Sequence, residues 1–545
     1  MEYSAARSHQ LNSGFDQLRT HWRADMQAGF LIFLIALPLC LGVAVTSGFP
    51  PMAGITSAIV GGLLVSRING SYLTITGPAA GLIVVILASV QNLGEGDISA
   101  GYRFTLAAIV LSGALQIILG YYKAGRLAAF FPASVVHGML AAIGIIIISK
   151  QLPTMMGIKL PSSPTILSGL AQLWHAYRFY VPTISLIALL SMLVVVGWPK
   201  LRHPWLNKIP APLLVIVLGT FFGYVFDLAH FVPEPLFKQP ASINTYAPYL
   251  VSMPKSLIGS IAFPDFSKVT TLTFWESVLS ITLVGSLETL LSSAAVDKLD
   301  PEKRYSNLNR DLGAIGVGNV VSGMIGGLPM IAEIVRSSAN IDYGAKTGWS
   351  NFFHGGFLLI FVLLFPHVID TIPLASLAAL LVYIGYRLAS PEAFAKTLDL
   401  GKEQLIIFVV TILGVLASNL LVGVFVGIAA KLVIHLIRGV PIKNLLSLSY
   451  HVQKHGNSCS IKISGSAVFS NFIALKSHLA TLPDGLSITF DLTDVYLIDH
   501  TVMDFIEAYR ADYNKRGGRC EIHGLHQHES YADHKLAARI NKRVR

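Results

Sequence analysis

Glu288, Glu333 and Arg336 fall inside otherwise apolar sequence, Leu283-Val284-Gly285-Ser286-Leu287-Glu288-Thr289-Leu290-Leu291-Ser292 and Glu333-Ile334-Val335-Arg336-Ser337-Ser338-Ala339-Asn340. In hydrocarbon an ionised side chain is expensive, with Arg at a helix centre costing about 2.5–3.5 kcal/mol, so such residues face a cavity or a partner. Glu333 and Arg336 are three apart and can share a helix face as an ion pair. Arg336 in the opening turns of a helix also adds its charge to the positive end of the helix dipole, which favours an anion. Glu288, with the hydroxyl of Ser292 one turn further on, is the type of group that carries a proton or helps to coordinate Na⁺. A hydrogen-bonded structural carboxyl is the alternative reading of Glu288. No Ser-His-Asp set, P-loop or HExxH is present, so the chain does not read as an enzyme or an ATP-driven pump.

The elements that must position these residues are membrane spans. Apolar residues make up 53% of the 545 and charged residues 13%, and the mean hydropathy is +0.61. A lipid bilayer is therefore the solvent, and spans of ~20 apolar residues are expected. Full-length runs lie near 28–46, 51–67, 103–121, 130–150, 180–198, 211–229, 275–295, 352–366, 370–389, 404–419 and 420–437. Counting the split region 312–341 as two crossings and the interrupted region 72–92 as one, the total is roughly fourteen. The first run is a retained span, because no cleavage site follows it and Pro50-Pro51 opens another.

Both interrupted regions carry a helix-breaking pair, Gly77-Pro78 in one and Leu328-Pro329 in the other. Each reads as an extended strand leading into a half-helix whose unpaired N–H groups point into the protein. Breaks early in each half of the chain have the placement of an inverted repeat with substrate between the half-helices. The candidate anion donors are backbone groups of Gly77, Pro78, Ala79 and Ala80 and of Met330, Ile331, Ala332 and Glu333, together with Arg336. Proline supplies no N–H and enters only through the turn it forces.

The formal charge of +10 is carried largely by short segments between apolar runs, which fits the positive-inside rule and not a nucleic-acid surface. Arg67, Lys123, Arg126, Lys200, Arg202, Lys208, Lys298, Lys303, Arg304, Lys346, Lys396 and Lys402 fall in alternate loops, on the side of the N-terminal arginines. Lys159, Arg178, Lys238, Lys255 and Lys268 fall on the other side. Both termini are expected in the cytoplasm, with the chain integral to the plasma (inner) membrane. The three cysteines have no metal-clamping spacing, and neither a metal nor a cofactor is expected.

Beyond residue 450, Cys459–Ser464 and Leu486–Phe490 alternate like half-buried strands, and Asn471–Thr481 and Met503–Asn514 have helical spacing. A small α/β domain is expected there. The basic stretch His526–Arg545 reads as a solvated tail or last helix. The organisation is thus an N-terminal cytoplasmic segment over 1–27, a transmembrane domain over 28–440 and a cytoplasmic domain over 450–545.

The sequence resembles the SulP family of anion transporters over nearly its whole length. The likeness rests on Asp25-Met26-Gln27-Ala28-Gly29, Leu37-Pro38, Ser47-Gly48-Phe49-Pro50-Pro51-Met52-Ala53-Gly54, Gly70-Ser71 to Gly77-Pro78-Ala79, and Arg126-Leu127 with Phe131–Met139. Its most specific stretch is Asn309-Arg310-Asp311-Leu312, Gly316, Asn319, Gly323, Gly326-Gly327-Leu328-Pro329 and Arg336. Val468-Phe469-Ser470-Asn471, Asp491-Leu492-Thr493 and Ile498-Asp499-His500-Thr501 resemble a STAS domain. The resemblance implies a seven-plus-seven inverted repeat, elevator-like movement of an anion-carrying core against a gate, and homodimers. Substrates of that family include sulfate, bicarbonate, chloride and dicarboxylates, and with Glu288 as the coupling group the expected function is symport of a small inorganic anion, of the sulfate or bicarbonate class, with H⁺ or Na⁺. The sequence departs from the family at Leu39, where many members carry Gln or Glu, and at Glu333 and Val335, where small or hydroxylated residues are usual. A nucleobase carrier on the same fold and a non-transporting membrane sensor are the alternatives.

Overall fold

Proline lacks an N–H and pushes the residue before it out of the helical region, so Gly77-Pro78 and Leu328-Pro329 are where apolar sequence must leave the helix. In the computed structural model it does so at both places. The structure describes residues 15–78, 80–125, 132–158, 180–201, 209–231, 249–252, 259, 261–302, 304–418, 420–479, 482, 485–515 and 517–542. Of the loop residues that set the expected topology, Arg126, Lys159, Arg178, Arg202, Lys208, Lys238, Lys255 and Lys303 lie outside them, as do Leu127 and Phe131. Two compact units divide the chain, one of residues 10–125 and 143–388, the other of residues 1–9, 126–142 and 389–545.

The larger unit is built on α1 (Phe15–Thr46), α2 (Pro51–Ile68), α3 (Ala80–Gly94), α4 (Ile98–Tyr121), the later part of α5 (Ala133–Met155), α6 (Pro182–Gly197) and α7 (Ala211–Val225). It continues through α8 (Leu272–Leu299), α9 (Leu308–Met324), α10 (Ile334–Asp342), α11 (Trp349–Leu364) and α12 (Leu374–Leu388). α1 begins at Phe15, well before the apolar run at Ala28, because the helix continues past the part that lipid can cover. Buried Asp25 on this extension accepts the N–H groups of Lys346 (2.7 Å) and Thr347 (3.0 Å) and so fixes the entry to α11. α2 contains a π-helical turn at Gly61–Val65. There Gly62 lies so close to Gly355 that an added Cβ would come within 2.6 Å of the Gly355 Cα, the small-on-small crossing that brings membrane helices together.

β1 (Ile75–Gly77) and β2 (Ile331–Glu333) pair antiparallel, Ile75 with Glu333, Thr76 with Ala332 and Gly77 with Ile331. Each strand leads into its half-helix, α3 or α10, as the broken pattern predicts. Among the described residues eight helices are long and apolar enough to cross a membrane, and α3, α7 and α11 are shorter apolar helices. The protein is an integral, mostly helical membrane protein.

The smaller unit holds the start of α5, α13 (Pro391–Leu400), α14 (Lys402–Ala417), α15 (Leu420–Ile437) and a six-stranded sheet. The strands are β3 (Ser449–His455), β4 (Ser458–Ala467), β5 (Ser487–Ile498), β6 (Arg519–His523), β7 (His528–Ser530) and β8 (Arg539–Asn541), with α16 (Ile473–Leu479) and α17 (His500–Lys515) alongside. β4 and β6 run parallel to β5, whose apolar face carries Ile488, Phe490 and Leu492 into the core. The basic end of the chain is neither a tail nor a helix through residue 542. β7 and β8 join the sheet against Leu497 and Ile498, and buried His528 bonds through Nε2 to the Val495 carbonyl at 2.8 Å. Short strands of two or three paired residues leave too little alternation in the sequence to be read there.

A buried charge pair ties α15 to this sheet. Asp499 accepts the N–H groups of Phe469 and Val502, each at 2.8 Å. Its carboxylate lies 3.2 Å from Lys431 Nζ and 3.5 Å from His435 Nε2, and Lys431 donates to Thr501 Oγ1 at 2.9 Å. Burial pushes the Asp499 carboxyl up, but Lys431, His435 and the Val502 N–H outweigh it and hold the group below the ordinary carboxylate range.

Candidate anion site at the crossing of two half-helices

A helix that begins inside the protein leaves its first N–H groups without intrahelical acceptors. For α10 these belong to Ile334, Val335 and Arg336, since β2 ends at Glu333. These open N–H groups lie further along the chain than the 330–333 group expected from the sequence. Met330 in particular is committed elsewhere, with its N–H on Asn319 Oδ1 at 2.7 Å and its carbonyl accepting from Asn319 Nδ2 at 3.3 Å. Asn319 also donates to Gln116 Oε1 at 2.8 Å. Met330 is thus a brace for the second break, with its N–H taken up by Asn319. Ile331 and Ala332 form the strand pair with Gly77 and Thr76.

On the first half, Gly77 ends β1, Ala80 opens α3 with a 3-10 turn, and Ala79 lies outside the described residues. The Pro78 carbonyl accepts Arg336 Nη2 at 2.9 Å. One guanidinium, 1% exposed, thereby reaches from the opening turn of the second half-helix to the break before the first. Its Nε is 2.6 Å from Glu333 Oε2 in a close ion pair that lacks hydrogen-bond alignment. Nη1 lies 3.5 Å from Cys40 Sγ on α1. A Cβ at Gly77 would stand 2.8 Å from Nη1, so any side chain there would make the guanidinium shift.

Further bonds hold the crossing from behind. Ser337 Oγ accepts the Ile75 N–H at 2.9 Å and donates to the Glu333 carbonyl at 2.6 Å. Asn340 Nδ2 donates to the Leu73 carbonyl (3.0 Å) and to Ser350 Oγ (2.9 Å), and Asn351 Nδ2 donates to Thr76 Oγ1 (3.0 Å). These side chains come from α10, α11 and β1, so each half-helix is held by the other's surroundings. Such mutual bonding keeps two broken backbones at fixed separation in a medium that cannot solvate them.

Glu288 sits on α8, 6% exposed, with its carboxyl against Gly81 in the first turn of α3. A Cβ added at residue 81 would overlap that carboxyl and make it or the helix shift. Among the described residues Glu288 Oε1 has no hydrogen-bond partner, and neither has the Thr289 hydroxyl. Ser292 is buried one turn further along α8. The structure therefore brings Gly77, Pro78, Glu333 and Arg336 together, and sets Glu288 at the mouth of the other half-helix.

Cys40, Asn319, Asn351 and Thr76 take part in the crossing although the sequence does not mark them for it. Asn319 is visible there only as one member of a motif. Cys40 lies two residues past Pro38 in a run of apolar residues, and nothing local distinguishes it. His354 on α11 is fully buried, with both ring nitrogens unpartnered among the described residues.

The family model of the Sulfate permease family matches residues 22–411. The bicarbonate transporter BicA of Synechocystis sp. is 25% identical over 498 residues, covering 88% of this chain and 84% of the relative. Sulfate transporter 4.1, chloroplastic, of Arabidopsis thaliana is 25% identical over 428 residues, covering 76% of this chain and 58% of the relative. Among solved structures, the murine Solute Carrier 26 family member A9 anion transporter in its inward-facing state superposes with a TM-score of 0.65 at 16% identity, over 92% of this chain and 85% of that one.

Proposed function

The chain belongs to the sulfate permease family, and from that premise we propose that it is a secondary active transporter of a small inorganic oxyanion of the sulfate or bicarbonate class. The observation that carries this reading is the Arg336 guanidinium, bonded to the Pro78 carbonyl at the first break while rooted in the first turn of the second half-helix. An anion between the two N-termini meets the open N–H groups of α3 and α10 and one fixed positive charge.

Glu333 tunes that charge. It pairs with Arg336 through Nε, and an arriving oxyanion competes for the same guanidinium. A monovalent anion leaves this carboxylate with less repulsion than a divalent one does, which favours the bicarbonate class. Glu333 faces Arg336 through Oε2, and a fixed guanidinium beside that carboxylate favours an anion over a neutral nucleobase ring. Glu288, with Ser292, is the coupling group. Its contact with Gly81 links H⁺ or Na⁺ on α8 to the position of α3, so cation and anion occupancy reinforce each other. Movement of the crossing as one body against the remaining helices, with both termini in the cytoplasm of a homodimer, gives elevator-type alternating access.

The test is uptake of ³⁵S-sulfate and ¹⁴C-bicarbonate into proteoliposomes under imposed H⁺ and Na⁺ gradients, with uracil as competitor. Gradient-dependent accumulation of an oxyanion that uracil leaves untouched is the expected result. Accumulation of neither anion, or uracil uptake, overturns the reading.

A further inference from the structure

A second polar chamber lies between α1, α3, α5 and α12, apart from the crossing. Its volume is about 200 Å³, several times the roughly 30 Å³ share of a liquid water. Thr46, Lys150, Gln151 and Thr154 line it together with leucines such as Leu87 and Leu377. Gln151 and Thr46 are 7% and 8% exposed and are joined by a 2.9 Å hydrogen bond from Nε2 to Oγ1. This is a built wall, one turn below the end of α5 at Met155, and not a chance gap between side chains.

Lys150 is half-buried in that wall, and among the described residues no carboxylate pairs with it. Arg336, by contrast, has Glu333. A cation held among apolar helices without a counter-charge is itself an attractor for anions. The chamber shares two helices, α1 and α3, with the crossing. Gly42 lines it and is two residues past Cys40, whose Sγ meets Arg336, and Leu87 belongs to the half-helix α3. At 1.5 Å per residue, Cys40 to Thr46 is about 9 Å along α1, less than two helical turns.

We propose that this chamber is an outer binding site for the transported anion, in which Lys150 holds the ion with Gln151 and Thr154 before it passes along α1 to Arg336. The site serves the face of the membrane where α1 ends, opposite the N-terminus. It takes a small inorganic anion with some of its water, since Lys150 supplies a compact hydrated charge and not a bidentate fork. This inference rests on the anion-transport reading, but its evidence is independent of the Arg336 geometry.

The experiment is Lys150→Cys in proteoliposomes, modified either with a trimethylammonium-ethyl thiosulfonate, which restores a positive charge, or with the sulfonato-ethyl reagent, which does not. Wild type carrying the native cysteines receives both reagents as control. Lys150→Cys is expected to raise the anion KM about ten-fold with the maximal rate within about two-fold, equal to about 1.4 kcal/mol of lost binding. The cationic reagent and Lys150→Arg should bring KM back, and the anionic reagent should not. An unchanged KM, or equal recovery with both reagents, overturns the proposal. Arg336→Ala is assayed beside it. Wild-type kinetics in that variant would refute the central site while the Lys150 readout stands, and wild type that moves no anion at all refutes both.

Discussion

Gly81→Ala isolates the contact between the Glu288 carboxyl and the first half-helix. Residue 81 has ordinary helical-side φ and no left-handed strain, so alanine there is acceptable to the backbone. The added methyl instead occupies the volume of the Glu288 carboxyl, touching both its oxygens. Either Glu288 rotates away or α3 is displaced from α8. Forced repacking of this size costs about 1–3 kcal/mol, and if it falls on the cation-loaded state the half-saturating H⁺ or Na⁺ concentration rises by roughly 5- to 150-fold. The assay is initial-rate uptake of the anion against cation concentration in proteoliposomes. Glu288→Asp, one methylene shorter, should recover much of the loss in a Gly81→Ala background, giving a favourable coupling energy in the double-mutant cycle. A Gly81→Ala protein with wild-type cation dependence and rate, or strict additivity with Glu288→Asp, would refute the claim that Glu288 works through α3.

Other perturbations separate scaffold from site. Asn319→Leu leaves the Met330 N–H unpaired in a buried setting, which costs about 1–3 kcal/mol; the unfolding midpoint in detergent should drop, while the KM of the surviving protein changes little. Arg336→Lys keeps the charge but cannot serve Pro78, Glu333 and the anion together, so uptake should fall by at least about ten-fold at sub-saturating anion. At the sheet domain, Asp499 is held below its ordinary range, so its contribution to stability is present above about pH 4 and is lost as the pH falls through the depressed value. Asp499→Ala strands Lys431 and should cost about 3–5 kcal/mol, read as faster amide exchange in β4, β5 and α17, whereas Asp499→Leu with Lys431→Met should recover most of it.

The half-helices were legible because a Gly-Pro or Leu-Pro pair inside apolar sequence interrupts the one conformation that lipid tolerates there. Arg336 and Glu333 were legible for a related reason, since a charge at membrane depth demands a partner. What the sequence did not reveal depends on contacts between distant segments. The commitment of Met330 needs Asn319, Gln116 and the course of α9 to be in place. The Gly81 requirement needs α8 across from α3. The early start of α1 escaped because hydropathy marks only the lipid-covered length of a helix, and β7 and β8 escaped because they are too short to alternate.

The central claim is that one guanidinium spanning two half-helix N-termini holds the transported anion. Radiolabelled oxyanion uptake by Arg336→Ala, reconstituted beside wild type and matched for unfolding midpoint, tests it most directly. Uptake should be lost at every anion concentration with the fold intact, whereas undiminished uptake by the folded variant would show that Arg336 does not hold the anion.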